Sequence, residues 1–325
     1  MDALSLVQQP VLAELNSYRL LFDAALSHED DFLGQVLAHI RARKGKVMRP
    51  LLVLLVAREV GNVGEATLRS AVALELLHTA SLVHDDVVDQ SDERRGQAST
   101  NAAYGNKVAV LVGDYLLSSA LHQTGLTGST RCVELIARLG ATLSEGEVRQ
   151  LANIRNEVCS EEAYFDIIRS KTAALFAACG QLGAFTAGAD AAFEERARCF
   201  GELVGMCFQI RDDIFDYDDK ADIGKPTGND MTEGKLTLPA IYALSRPGVD
   251  AEVLACAERV RRCAATQADI ARVVGYTVQA GGIDYARRVM LRFRDEAADL
   301  LVAFHNQKVR EALEGYLDYV VGRDF

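Results

Sequence analysis

The stretch ATLRSAVALELLHTASLVHDDVVD, residues 66–89, combines a helical pattern with a cluster of carboxylates. Core, polar and acidic positions recur three or four residues apart along it, at Leu68, Val72, Glu75, Thr79, Leu82, Asp86 and Asp89. That spacing is typical of an α-helix with ordered faces. The stretch therefore predicts one long helix that carries three acidic side chains at its end.

A second stretch, DDIFD at 212–216, has the same acidic spacing as DDVVD at 85–89. The two triplets are Asp85, Asp86 and Asp89, and Asp212, Asp213 and Asp216. On a helix, the first and last carboxylates of each triplet project from one face, where like charges repel. A bound cation would offset that repulsion, and ligand sets made only of oxygen select hard cations such as Mg²⁺. We interpret the triplets as metal-binding walls of one cavity, in preference to solvated acidic helix faces.

The composition of the chain indicates its fold class. Its 325 residues are 49% apolar, with 5 prolines and no tryptophan, and alanine, leucine and glutamate are abundant. This composition is typical of an all-helical protein. No linker or low-complexity tract interrupts the sequence, so we expect a single all-α domain over residues 1–325. The net charge of −11 argues against broad nucleic-acid binding, which requires a basic face.

Nothing in the sequence suggests export or membrane insertion. The N-terminal MDALSLVQQP lacks the basic and apolar regions of a signal peptide. The most apolar run, LLVLLVA at 51–57, is too short to span a bilayer. The seven cysteines form no CxxC pair, so we expect reduced thiols that pack as small hydrophobic side chains. These features predict a cytoplasmic protein without a transmembrane segment.

Basic residues lie close to the first triplet in the sequence. Lys46 and Arg49 are three residues apart in GKVMRP, which predicts that they share one helical face. Arg94 and Arg95 follow the triplet after a short loop. Because the forked guanidinium of arginine suits phosphate oxygens, these cations indicate an anion site beside the carboxylates.

Polar residues around the second triplet complete the pattern. Lys171 opens a helical stretch, and Gln209 lies one turn before the triplet. The long polar segment 217–235 holds Lys225 and Lys235, and a loop of this length is often an active-site lid. No P-loop pattern is present, so nucleotide phosphoryl transfer is disfavoured. The residues alone therefore predict a helical cavity that binds phosphate esters through Mg²⁺.

Five motifs carry a resemblance to a known family. They are GKVMRP (45–50), HTASLVHDDVVDQSDERRG (78–96), GDYLLSSA (113–120), KTAALFAACG (171–180) and FQIRDDIFDYDDKADIGKPTGND (208–230). In this order they resemble the polyprenyl synthetase family, the trans-isoprenyl diphosphate synthases. The resemblance implies a bundle of mostly antiparallel helices around a deep central cavity, usually in a homodimer. It also implies a reaction in which an allylic diphosphate ionises, isopentenyl diphosphate attacks the cation, and a proton is lost.

The resemblance also implies roles for individual residues. Mg²⁺ ions, about three in number, would be held by Asp85, Asp89 and Asp212, with Asp86, Asp213 and Asp216 in support. The allylic diphosphate would be bound by Arg94, Lys171, Thr172, Gln209, Lys225 and Lys235. Isopentenyl diphosphate would be bound by Lys46, Arg49, His78 and Arg95. No side chain is assigned as the general base, because the released diphosphate can accept the proton, and His84 is interpreted as an ordinary packed or surface histidine.

The length of the product should depend on the residues before DDVVD. Ser81 shares the helical face of Asp85, and Ala80 borders that face. In short-chain members of the family, bulky aromatic residues at these positions close the cavity. Because both residues are small here, we expect an open shaft and a long-chain product near octaprenyl length, which can partition into a membrane. The floor would then come from deeper residues, within 115–125 or 132–143.

Several other interpretations of the motifs stay open at this point. A short-chain synthase would make farnesyl or geranylgeranyl diphosphate with the same chemistry. A class I terpene cyclase is disfavoured, because such enzymes pair DDxxD with an NSE-type motif and lack an isopentenyl diphosphate pocket. A non-catalytic subunit of a heteromeric synthase is disfavoured, because both triplets are intact. The simplest alternative to the enzyme is a helical scaffold that only binds Mg²⁺. The simplest alternative to the open shaft is that the small residues at 80 and 81 only permit close helix packing.

Overall fold

Helices make up almost all of the regular structure. The computed structural model describes residues 3–42, 45–94, 96–155, 159–217 and 228–323. Within these ranges the one sheet is a two-stranded hairpin, so the all-α prediction is confirmed. The stretch predicted as one long helix, 66–89, is helical from Glu65 to Val88, and Asp89 caps its C-terminus. The periodicity therefore located this helix to within a residue at each end.

The chain divides into two compact units, which are described separately. The first unit comprises Met1–Gly140, Leu175–Gly201 and Ala303–Gly315, and the second comprises Ala141–Ala174, Glu202–Val302 and Tyr316–Phe325. A single domain over 1–325 stays a prediction.

The first unit contains the N-terminal helices and the hairpin. Its complete elements are α1 (Ala3–Gln8), a 3-10 turn (Gln9–Val11), α2 (Leu12–Ala25), α3 (Asp31–Ala42), α4 (Met48–Val60), α5 (Glu65–Val88), β1 (Glu93–Arg94), β2 (Gln97–Ala98), α6 (Thr100–Tyr104) and α7 (Asn106–Gly125). Four helices have residues in both units, namely α8 (Thr130–Arg155), α10 (Ala174–Thr186), α11 (Ala191–Phe215) and α17 (Gln307–Gly322).

The core of the first unit is built around α4, α5 and α10, which are apolar on nearly every face. Nine residues of α4 and nine of α10 are buried, as expected of helices that other helices surround. Glycines allow the backbones to approach closely. A Cβ at Gly180 would lie 2.0 Å from the carbonyl oxygen of Ala197, and one at Gly183 would lie 2.6 Å from that of Val53. The long helix that carries the first acidic motif is therefore set in a tightly packed framework.

The second unit holds the remaining elements. They are α9 (Glu161–Ile168), a π-helical turn (Arg169–Ala173), α12 (Asn229–Thr232), α13 (Leu238–Leu244), α14 (Ala251–Arg261), α15 (Gln267–Gln279) and α16 (Gly282–Leu301). A buried cluster joins several of them, formed by Tyr217, Met231, Ala240, Cys256, Ala257, Val260, Ile270 and Val273. This cluster packs Tyr217 and the helix α12 against α13, α14 and α15.

The cysteines are free thiols, as predicted. Cys132, Cys179, Cys207 and Cys256 are buried, and burial raises the pKa of Cys207 to about 12. The prediction that all seven pack as small hydrophobic side chains is wrong for the other three. Cys159 and Cys263 are exposed and Cys199 is half-buried, because they lie outside the helical core positions. Among the described helices, none has the length and hydropathy needed to cross a bilayer.

Candidate active site

The first acidic motif lies at the C-terminal end of α5, in the first unit. Its three carboxylates differ in environment, since Asp85 is half-buried, Asp86 is buried and Asp89 is exposed. The Nε atom of Arg94, on strand β1, donates a hydrogen bond of 2.6 Å to Oδ1 of Asp86. Because a buried carboxylate requires a partner, this ion pair makes Asp86 an anchor. Arg94, predicted to contact a diphosphate, therefore holds the middle aspartate here.

The backbone of Asp86 also stabilises the turn that follows α5. Its carbonyl oxygen accepts the backbone N–H of Ser91 at 2.9 Å and the Nδ2 of Asn101 at 3.2 Å. Gln90, between motif and hairpin, has a left-handed backbone with φ of 52°, which is common where a helix ends. These bonds fix the end of α5, so that Asp85 and Asp89 project from a rigid helix terminus.

Two of the residues predicted to bind isopentenyl diphosphate flank the start of α4. Lys46 is exposed and precedes the helix, whereas Arg49 is half-buried within its first turn. The prediction that they share one helical face is wrong, because Val47 between them has φ of 56° and the helix begins only after it. The Arg49 guanidinium carbon lies 5.1 Å from the centroid of the Phe176 ring, a cation–π distance.

The other predicted residues of this group lie on α5 or outside the described part of the chain. His78 is half-buried, and its carbonyl oxygen accepts the Oγ of Ser81 at 2.9 Å. Ala80 is 2% exposed, whereas Ser81 is half-buried. Arg95 lies outside the described residues. Thus the small residues predicted to set product length lie four and five residues before Asp85 on the same helix.

His84, beside the first motif, has a packing role. A Cβ on Gly113 of α7 would lie 2.1 Å from its Nε2 atom. That nitrogen is also 3.2 Å from the carbonyl oxygen of Val110 and 3.5 Å from a carboxylate oxygen of Asp114. The imidazole fills a notch that only glycine leaves open. The glycine of GDYLLSSA therefore serves the contact between α5 and α7.

The second acidic motif lies at the end of α11, in the second unit. Asp213 is buried, and it accepts the hydroxyl of Tyr164 at 2.6 Å and the Nε2 of Gln209 at 2.8 Å. Burial raises the pKa of Asp213 well above its usual value and the Asp230 carboxylate raises it further, while the two hydrogen bonds oppose this shift. As in the first motif, the middle aspartate is the buried member of the triplet, and side-chain hydrogen bonds hold it.

The outer carboxylates of this motif also have defined partners. Asp216 follows α11 and accepts the backbone N–H groups of Asn229 and Asp230 at 2.9 and 3.3 Å. It therefore caps the short helix α12. Asp212 is half-buried and forms an ion pair with Arg323, after the end of α17. The sequence pattern predicted neither partner.

Beside Asp213 is a pocket of about 170 Å³ that several predicted residues line. Lys171 and Thr172 lie in the π-helical turn, a feature frequently found at functional sites. The Lys171 ammonium is 2.7 Å from Glu147, and the Thr172 hydroxyl donates to Oε1 of Gln209 at 2.7 Å. The polar lining is Gln150, Asn153, Ser160, Tyr164, Lys171, Thr172, Gln209, Asp213, Asp230, Lys235, Thr237 and Arg261. The structure thus brings five predicted residues to one pocket, namely Lys171, Thr172, Gln209, Asp213 and Lys235.

The predicted lid segment is described only in part. Lys235 lines the same pocket, and its ammonium is paired with Glu233. The helix α12 lies inside the predicted range 217–235. Lys225 and the rest of 218–227 lie outside the described residues, so closure of this segment stays a prediction.

The chemistry of both motifs suits a hard divalent cation. All their side-chain ligands are carboxylate oxygens, the donors that Mg²⁺ prefers. Within the described ranges, no three acidic, histidine or cysteine side chains converge on one point where a metal could bind. In protein sites for Mg²⁺, one or two carboxylates typically bind the ion, and water and substrate phosphate fill the other positions.

Sequence reasoning missed several residues of the site. Tyr164 and Arg323 each hold an aspartate of the second motif, and Glu147 pairs with Lys171. The sequence offers no local signal for the first two, because 49 and 111 residues separate them from their partners. Only the fold brings these residues together.

Comparisons with known proteins agree with this arrangement. The sequence profile of the polyprenyl synthetase family matches residues 30–276. The octaprenyl diphosphate synthase of Haemophilus influenzae is 35% identical over 98% of this chain and 93% of its own length. A solved geranylgeranyl pyrophosphate synthase from Bacteroides thetaiotaomicron is 48% identical with a TM-score of 0.88, covering 99% of this chain and 100% of that one. A polyprenyl synthase from Caulobacter crescentus is 34% identical with a TM-score of 0.92, covering 99% and 98%.

The family predicted from the five motifs is therefore confirmed, and with it the all-α isoprenoid synthase fold. The profile spans both acidic motifs and the pocket wall. The chain belongs to the polyprenyl synthetase family of trans-prenyltransferases.

Proposed function

We propose that this enzyme adds successive isopentenyl diphosphate units to an allylic diphosphate and releases a long-chain trans-prenyl diphosphate near octaprenyl length. The observation that carries the proposal is the pocket wall of the second unit. There Lys171, Thr172 and Gln209 lie together beside the buried Asp213. A cation and amide donors next to a carboxylate motif suit a diphosphate that is bound together with a metal.

The family depends on magnesium. When bound, Mg²⁺ would draw negative charge from the leaving diphosphate and so favour ionisation of the allylic substrate. We propose Asp85, Asp89 and Asp212 as its ligands, with about three ions in all. The Caulobacter crescentus relative, which was solved with calcium and isoprenyl diphosphate, supports the binding of a divalent cation.

The chain's own residues would bind the anions and exclude water. Lys171 and Lys235 are paired with Glu147 and Glu233, so a diphosphate would exchange a carboxylate partner for phosphate oxygens. Arg94 and Lys225 are proposed to add to this subsite. For the isopentenyl diphosphate subsite we propose Lys46, Arg49, His78 and Arg95. Closure of the segment 217–235 would keep water from the allylic cation.

A long product is supported by the residues before the first motif. Ala80 and Ser81 are too small to close a shaft, and the Haemophilus influenzae relative makes an octaprenyl chain according to its name. A second candidate product has a specific observation in its favour. The relative from Bacteroides thetaiotaomicron, at 48% identity, is named a geranylgeranyl pyrophosphate synthase. A product of that length would require a floor above the one we expect.

We also propose a cytoplasmic homodimer. The helix α7 exposes Val110, Leu117 and Leu121, which lie seven and four residues apart and so share one face. Exposed apolar stripes of this kind mark association surfaces. Light scattering of the purified chain would test the assembly, and a monomer at micromolar concentration would contradict it.

The test of the proposed function is a product assay. The full chain would be mixed with Mg²⁺, labelled isopentenyl diphosphate and farnesyl diphosphate, and the dephosphorylated products separated by length. We expect a ladder that ends well beyond geranylgeranyl length. Products that stop at geranylgeranyl length would keep the reaction and contradict the open shaft. Folded protein that incorporates no label would contradict the proposed catalysis.

A further inference from the structure

Tyr164, in the second unit, contacts the middle aspartate of the second acidic motif. It is 7% exposed, on the helix α9, and its hydroxyl is 2.6 Å from Oδ2 of Asp213. Burial raises the pKa of this tyrosine well above its usual value, and the Asp213 charge raises it further. The hydroxyl is therefore a hydrogen-bond donor to the carboxylate, and none of the five motifs includes this residue.

The hydrogen bond from Tyr164 belongs to a network of side chains in which each donor and acceptor is defined. Each side-chain oxygen of Asp213 accepts a hydrogen bond from a neighbouring side chain. Oδ1 of Asp213 accepts from Nε2 of Gln209 at 2.8 Å, so the amide must turn its NH₂ group towards Asp213. Its carbonyl oxygen then faces Thr172 and accepts that hydroxyl at 2.7 Å. The order of donation runs from Thr172 to Gln209 to Asp213, and Tyr164 donates to the same carboxylate from the other side.

This direction decides what the pocket can offer an anion. The NH₂ group of Gln209 has two hydrogens, and Asp213 requires one of them. The second is a donor of the kind that phosphate oxygens accept. If the amide were turned over, its carbonyl oxygen would replace that donor and would repel an anion. The orientation of the Gln209 amide therefore determines whether the pocket presents a hydrogen-bond donor or an acceptor at this position.

We propose that Tyr164 is a positioning residue for diphosphate binding. By holding Asp213 as an acceptor for Gln209, it keeps the amide turned so that its NH₂ group serves the pocket. It also ties α9 to α11 next to the π-helical turn that carries Lys171 and Thr172. The inference rests on the proposed function, because it assigns Tyr164 a part in the diphosphate subsite of that reaction.

The test is a titration of the full chain with inorganic diphosphate in the presence of Mg²⁺, followed by calorimetry. Tyr164→Phe removes only the hydroxyl, and we expect diphosphate to bind on the order of 10-fold more weakly, as is usual for outer partners of a site. Tyr285→Phe is the matched control. Its hydroxyl also donates to a carboxylate, Glu161, at 2.7 Å, but it does not line the pocket. This control should leave diphosphate binding unchanged.

A double variant separates positioning from a purely structural role. In a Gln209→Ala background there is no amide to orient, so adding Tyr164→Phe should weaken diphosphate binding by less than about twofold. In steady state, Tyr164→Phe should raise KM for the allylic substrate and leave KM for isopentenyl diphosphate unchanged. Equal losses in both backgrounds, or an unchanged affinity in Tyr164→Phe, would overturn the proposal.

A second pair of variants keeps the test independent of Tyr164. Thr172→Val removes the hydroxyl that Gln209 accepts, and Thr172→Ser retains one. We expect weaker diphosphate binding from the first and near-normal binding from the second. Equal binding by the two variants would contradict the relay. If the unaltered chain binds no diphosphate, the proposed function fails first, which distinguishes that outcome from a failure of the relay alone.

Discussion

Arg323, just beyond the last helix of the second unit, forms an ion pair with Asp212, the first carboxylate of the second acidic motif. The guanidinium carbon of Arg323 also lies 3.9 Å from the centroid of the Phe208 ring, and Nη2 of Arg211 donates to the Arg323 carbonyl oxygen at 2.9 Å. Arg323 is therefore held on α11 by three kinds of contact. One of these occupies the carboxylate that we propose as a metal ligand.

Removing this arginine should make the metal easier to bind. A partly exposed ion pair contributes on the order of 1 kcal/mol, so Arg323→Ala should raise the apparent affinity for Mg²⁺ by roughly fivefold. Calorimetric titration with Mg²⁺ and inorganic diphosphate would measure it. Arg294→Ala is the control, because Arg294 pairs with Asp318 in the same unit. Weaker Mg²⁺ binding in Arg323→Ala would mean that Arg323 supports Asp212 instead of competing for it.

Asp213 should make stability depend on pH. Burial raises the pKa of this carboxyl in the folded protein above its unfolded value of 3.8, and Asp230 adds to the shift. The folded state then holds the proton more tightly, so this contribution to stability is full below the unfolded pKa. It is lost as the pH rises through the folded pKa. Asp213→Asn removes the titrating group, and we expect the variant to gain stability relative to the unaltered chain as the pH rises above 4.

Urea unfolding between pH 4 and 8, with a chelator present, would measure this difference. Asp284→Asn is a suitable control, because Asp284 is exposed on α16, where it forms an ion pair with Arg287. The differences of the two variants from the unaltered chain are compared at each pH. A constant difference for Asp213→Asn would show that folding does not raise the pKa of Asp213.

Val47 should be one of the few positions where glycine does not destabilise the chain. Its φ of 56° lies in the left-handed region, which costs a residue with a Cβ about 1–2 kcal/mol. Glycine loses more backbone entropy on folding, by about 0.5–1 kcal/mol. We therefore expect Val47→Gly to have an unchanged or slightly higher free energy of unfolding. Val133→Gly, within the helix α8, should lose about 1 kcal/mol in the same urea measurement, and an equal loss at both positions would contradict this account.

The sequence predicted the parts of the fold that follow from local periodicity. The pattern at 66–89 gave the bounds of α5 to within a residue, because a buried helix repeats its apolar positions every three or four residues. The same reasoning failed at 46–49, where the left-handed Val47 delays the start of α4. Helical spacing holds only where the backbone is helical, and a valine gives no warning of a left-handed conformation.

The partners of the site could not be predicted from spacing. The acidic residues of both motifs were identified, but the sequence could not tell which member of each triplet is buried. In each triplet the buried middle member is anchored, Asp86 by Arg94 and Asp213 by Tyr164. The first pair is separated by eight residues and the second by 49. Contacts of the second kind depend on how helices pack, and no local pattern encodes them.

The last prediction concerns the length of the product. Ala80 is 2% exposed on α5, and we propose that it borders the shaft that receives the growing chain. Ala80→Phe should then shorten the product, because the aromatic ring would close the shaft about one turn below the metal-binding end of the helix. Product chromatography would measure the change, with Ala103→Phe on the exposed face of α6 as the control.

Stability distinguishes a shaft from ordinary packing at the same position. If Ala80 only permits close helix packing, a phenylalanine would overpack the core and cost about 1–3 kcal/mol, and the surviving enzyme would make an unchanged product. If Ala80 borders a shaft, the ring enters space that the product otherwise fills, so urea unfolding should change little while the product becomes shorter. Ser81 is the half-buried neighbour of Ala80. Ser81→Phe should likewise leave the stability near normal and shorten the prenyl product. A large loss of stability with full-length product in both variants would place the shaft elsewhere.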